Sequence, residues 1–145
     1  MNTATISESC FSGSVWYQEQ YFLGALQDEI DRARTEGSAL CLVLLRLPDY
    51  SRRAARHLFA YAEAEDGSSF FGLLSNGDYA ICMPGGGYTE GTQERVSLSH
   101  NLGDFDVSSG IAVLDNEQTA AELLRAAAEA CVSVGHVQFE LAKAA

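Results

Sequence analysis

One lysine, Lys143, is all that the sequence carries. With a formal net charge of −11, that scarcity removes the basic face that neutralising nucleic-acid phosphates requires. An acidic surface also repels anionic lipids, and no apolar run approaches the roughly 20 residues needed to span a bilayer, so no membrane insertion is expected. The first residues, MNTATISESCFSGSVWYQ, lack the basic n-region and continuous apolar h-region of a secretory signal, and a cytoplasmic location is expected. The four cysteines, Cys10, Cys41, Cys82 and Cys131, form no CxxC pair and have no nearby Cys/His partner, so neither a zinc site nor a disulfide framework is suggested. Three of them lie in apolar stretches and read as buried free thiols.

What is present fits one folded domain. A length of 145 residues, 47% of them hydrophobic, can bury a core between a sheet and a layer of helices. Residues 1–15 are small, polar and aperiodic, and read as a flexible arm ahead of a domain over 16–145. From Trp16 to Glu36, Leu23, Leu26, Ile30 and Ala33 recur at helical spacing, and Gly37 stops the helix. The apolar run Ala39 to Leu47 predicts a buried strand with Arg46 as its anomaly. Ser51 to Glu65 reads as a helix with Ala55, Leu58, Phe59 and Ala62 inward.

Phe70 to Leu74 and Tyr79 to Met83 flank Ser75, Asn76, Gly77 and Asp78, a hairpin whose Asn-Gly pair tolerates positive φ. Thr89 to His100 is a weaker helical segment, and Phe105 to Leu114 a strand. Thr119 and Glu122 form a capping box for a helix whose inner face runs through Leu123, Ala127, Cys131 and Val134, followed by a strand at His136 to Glu140. The order α β α ββ α β α β predicts a layered α/β fold with helices packed on one sheet.

Within that order, GLLSNGDYAICMP (Gly72 to Pro84) resembles the signature hairpin of GGDEF (diguanylate cyclase) domains, with Ser75, Asn76, Gly77, Asp78 and Tyr79 at the five signature positions. LCLVLLRLPDY (Leu40 to Tyr50) is similar to the family's first strand and its closing aromatic, and VSSGIAVLDNEQTAAELLRAAAEA (Val107 to Ala130) to its later strand, capped turn and last helix. The likeness spans residues 17–140 and implies the palm-like α+β fold of nucleotide cyclases, a mostly antiparallel central sheet flanked by helices. In active members two carboxylates, one closing the first strand and one in the hairpin, hold magnesium ions that bind the GTP phosphates. The resemblance places Arg46 and Pro48 at the first-strand metal positions and Asp78 at the hairpin one, with Gly77 before it where an acid is normal. It puts Ala54 and Ala55 where guanine is read. The stretch from Tyr50 to Ser75 is shorter than the family's, implying a deleted base pocket, and no lysine stands near Gly135 to approach the phosphates. Asp66 and Ser69 stand at the positions of the RxxD motif that grips cyclic di-GMP.

These departures lead to an expectation of no enzyme activity, no metal and no cofactor. The expected role is a regulatory or scaffolding domain acting through another protein in bacterial signalling, linked to cyclic di-GMP or to exopolysaccharide secretion. The rivals are a nucleotide or cyclic di-GMP receptor with an altered pocket and a residual nucleotide hydrolase. Arg46 either forms an ion pair with Asp78 in place of the metal or snorkels from a strand end. Arg52, Arg53, Arg56 and His57, at a helix start, are either a docking patch for an acidic partner or a phosphate, or a solvated face. Trp16, Tyr17, Tyr21 and Phe22 either pack the first helix or offer a surface for a partner or a homodimer. The glycine loop at Pro84 to Tyr88 lacks the lysine of a phosphate-binding loop and reads as a plain connection.

Overall fold

The computed structural model describes residues 16–47, 52–64, 69–102, 107–115 and 117–133. In chain order these form β1 (Trp16–Gln18), α1 (Glu19–Glu36), β2 (Leu40–Arg46), α2 (Arg52–Ala64), β3 (Phe70–Leu73), β4 (Tyr79–Pro84), α3 (Tyr88–Leu102), β5 (Ser108–Val113), α4 (Ala120–Glu129) and β6 (Val132–Ser133). They build one sheet in the order β1-β3-β4-β2-β5-β6, antiparallel except where β1 runs parallel to β3. The expected architecture, a mostly antiparallel sheet flanked by helices, is therefore present.

β2 sits at the centre because both its faces are apolar. Leu40, Leu42 and Leu44 point to one side and pack against Phe22, Leu26 and Ile30 of α1 and Leu123 and Ala127 of α4. Cys41, Val43 and Leu45 point to the other, against Leu58 and Ala62 of α2 and Leu98 and Leu102 of α3. Three layers result, with α1 and α4 on one face of the sheet and α2 and α3 on the other. Burial pushes the Cys41 thiol up to about 11 and raises that of Cys82 as well, which keeps both neutral and unreactive near pH 7.

Two sequence expectations change. Trp16 to Gln18 does not begin the first helix, because Trp16 pairs with Phe71 as an edge strand and its ring packs among Phe59, Phe71 and Tyr79 at centroid distances of 5.1 to 5.6 Å. An aromatic at a chain entry point looks the same in a helix or a strand, and only the distant β3 decides between them. Secondly, α4 ends at Glu129, so Cys131 follows the helix rather than lying on its inner face, and Val134 is outside the described residues. The Ala130 N–H closes onto carbonyls of the last turn, and the chain turns into β6. The weaker helical segment expected over Thr89 to His100 is present as α3, seated closely because Gly91 leaves room for the Cys41 sulfur and Ile111. The expected arm over 1–15 and strand over 136–140 lie outside the described residues.

Helix boundaries follow local chemistry. Gly37 takes φ 69° and donates to the Ala33 carbonyl, ending α1. Thr119 accepts from the Glu122 N–H at 3.2 Å while Glu122 accepts from the Thr119 N–H at 2.9 Å, a closed capping box. Replacing Thr119 with alanine is expected to cost about 1 kcal/mol of stability, measured by urea denaturation. A Thr119→Ser variant should retain most of it.

Candidate functional site

The β3–β4 turn is built by its own side chains. The Asp78 N–H donates to Asn76 Oδ1 at 3.0 Å, the Leu74 N–H to the Asp78 carbonyl at 2.8 Å, and Gly77 takes φ 92°. That positive φ is what glycine supplies and a β-branched residue would not. Glu19, the first residue of α1, accepts from both the Ser75 N–H and the Ser75 hydroxyl at 2.9 Å. The turn is thus fastened to the start of α1.

Strand register then places the charges. β2 and β4 pair Leu45 with Tyr79, so the next position along sets Arg46 opposite Asp78. Arg46 Nη2 donates to Asp78 Oδ2 at 3.0 Å, and Nε lies 3.2 and 3.3 Å from the two carboxylate oxygens. Asn76 Nδ2 adds a further donor at 3.3 Å. The Asp78 side chain is 7% exposed and that of Arg46 48%, so the carboxylate is buried and the guanidinium reaches water. Hydrogen bonding to Asp78 raises the Arg46 pKa, outweighing the desolvation that would lower it.

The described residues do not fit a divalent cation. A magnesium ion needs oxygen ligands in near-octahedral array, and here both oxygens of Asp78 face a guanidinium. Among the described residues no group of three or more His, Cys, Asp or Glu side chains is placed to hold a metal. Pro48 and Tyr50 lie outside the described residues, as does Asp66. Of the other signature positions, Ser75, Asn76 and Gly77 are exposed, and Tyr79 is half-buried against Trp16 and Phe59, with its phenol pKa raised by burial. Ala54 is fully buried on the inner face of α2.

The interaction residues singled out from the sequence do not gather into one surface. Trp16 is 1% exposed and belongs to the core, which removes it as a contact residue. Tyr17 is half-buried against Phe70 on the α1 side of the sheet, and Tyr21 is half-buried on α1 itself. Arg53, Arg56 and His57 are exposed on α2, across the sheet from both; Arg52 opens the same helix, and its side chain is outside the description. The sequence reading missed Glu19, because that residue was placed inside a helix with no sign that the helix start would meet a turn 56 residues further on. A carboxylate near a sequence-remote Ser-Asn-Gly turn carries no local signal.

No protein-family model matches the chain, and no curated protein matches it. Solved structures do. The GGDEF domain of DgcB from Caulobacter crescentus in complex with c-di-GMP superposes with a TM-score of 0.73 at 12% identity, covering 89% of this chain and 85% of that one. A microbial GGDEF domain described for its interaction with bis-(3,5)-cyclic di-GMP gives 0.66 at 19% identity, with 86% of each chain covered. The diguanylate cyclase SiaD from Pseudomonas aeruginosa, in complex with its activator SiaC, gives 0.64 at 13% identity, covering 86% of this chain and 55% of that one.

Proposed function

Since the chain has the fold of a GGDEF domain, we propose that it is a non-enzymatic regulatory or scaffolding domain of bacterial cyclic di-GMP signalling, working through contacts with another protein. The observation that carries this reading is the Arg46–Asp78 ion pair. A guanidinium is held at 3.0 Å from the carboxylate that the resemblance assigns to the metal, so phosphoryl-transfer chemistry lacks its cation. Protein contact is supported by the SiaD–SiaC complex, in which a diguanylate cyclase of similar fold is in complex with its activator. A link to exopolysaccharide secretion is part of the same proposal.

A second reading, a cyclic di-GMP receptor with an altered pocket, is favoured by the two related folds described with that ligand. Titration calorimetry with GTP, ATP and cyclic di-GMP, each with magnesium, separates the two. No saturable heat is expected from any of the three. Saturable micromolar binding of cyclic di-GMP would instead establish the receptor, and GTP turnover would overturn both readings.

A further inference from the structure

An open cleft of about 260 Å³ lies between the start of α1, the β3–β4 turn and α4. Leu44 of β2 is fully buried beneath it, and Leu23 and Leu124 are half-buried along its sides. Ala121 and Ala128, one on either side of Leu124 along α4, are too small to close it. At the hairpin end stand Asp78 and Glu19. Asp78 is committed to Arg46 and Asn76, whereas Glu19 uses Oε1 on Ser75 and keeps Oε2 as an acceptor.

The chemistry of the cleft restricts its occupant. Its volume falls below the roughly 300–1,000 Å³ of small-molecule sites. At its hairpin end Asp78 is balanced by Arg46, which leaves Glu19 as the uncompensated charge, and Arg125 is the one cation among the lining residues, so the cleft offers no cluster of cations to hold a di- or triphosphate. The surface on and beside α1 and α4 is acidic on balance: exposed Asp28, Asp31, Glu117, Glu122 and Glu129 outnumber exposed Arg32, Arg34 and Arg125, in a chain of net charge −11. Such a field draws in cations over distances well beyond contact. Leucines with a free carboxylate oxygen beside them match the two halves of an amphipathic basic helix.

We propose that this cleft is the docking pocket for a cationic amphipathic helix of a partner protein. An apolar side chain sits over Leu44 between Leu23 and Leu124, and a lysine or arginine one turn away reaches Glu19. The proposal rests on the reading of the domain as a protein-binding one, and it moves the contact to the opposite face of the sheet from Arg53, Arg56 and His57, which would repel such a partner.

Fluorescence anisotropy of a labelled synthetic Leu/Lys amphipathic helical peptide, against the full chain at physiological salt, tests this. A scrambled peptide of the same composition controls for net charge. The amphipathic peptide is expected to bind at least about tenfold more tightly than the scrambled one, and Ala121→Trp, which fills the cleft from an exposed position, to weaken binding about tenfold. Ala60→Trp, exposed on α2, is expected to change nothing. Circular dichroism confirms that both variants are folded. Equal binding of the scrambled peptide, no loss with Ala121→Trp, or an equal loss with Ala60→Trp each overturns the proposal. Nucleotide binding in the calorimetric experiment would overturn the reading beneath it, whereas failure of the peptide overturns the cleft alone.

Discussion

Arg46→Met is expected to destabilise the domain by about 3 kcal/mol, and Asp78→Asn by roughly half as much. The two partners of the ion pair differ in burial, and that difference sets the order. Methionine keeps the packing of the arginine stem but leaves a carboxylate whose side chain is 7% exposed with only the Asn76 amide as a side-chain donor. Asparagine keeps the shape and one acceptor, and leaves a guanidinium that is already half in water. The double variant should cost less than the sum of the two, because it removes the stranded charge as well as its partner. Urea denaturation of all four proteins measures this. Additive costs would mean that the two side chains are not coupled, and equal single costs that burial does not set the order.

An effect at least as large is expected from Gly110→Ala. A Cβ at that position of β5 would collide with the Ala127 carbonyl oxygen and lie 2.8 Å from the Cys131 nitrogen and 3.0 Å from the Ala130 carbonyl carbon. All three are backbone atoms at the end of α4, so no side-chain rotation relieves the contact. The helix end must move off the sheet, taking Leu123 and Ala127 partly out of the core. The expected cost is about 3 kcal/mol or more, at the upper end for overpacking, and the variant is expected mainly in inclusion bodies. Thermal unfolding followed by circular dichroism reads it. A variant within about 0.5 kcal/mol of the parent would show that α4 is not seated on β5 as described.

The elements with strong periodicity were legible in the sequence. β2 is a double-sided apolar run, α2 and α4 repeat at helical spacing, and Ser75-Asn76-Gly77 carries the turn in its own side chains. The Arg46–Asp78 pair was legible too, since both residues are anomalies, a cation and an acid at the ends of neighbouring apolar strands. What was not legible depends on distant partners. β1 is a strand only because β3 lies beside it, α4 stops where Gly110 admits its end, and the first-turn carboxylate Glu19 finds its function at Ser75. The aromatic patch failed for the same reason: Trp16 looks like a surface anchor until Phe59, Phe71 and Tyr79 are brought around it.

The sheet order has a consequence for how the chain reaches this state during synthesis. β2 is made before either of its neighbours, and it is the most apolar strand, yet neither neighbour follows it directly. β4 begins at Tyr79 and β5 at Ser108. LCLVLLR therefore stays unpaired on both edges until most of the domain has left the ribosome, and closing those contacts makes folding slow relative to a helical bundle of the same length. Through that interval the segment is open to pairing between nascent chains, and the arginine that ends it is the one charge in the strand that opposes such pairing.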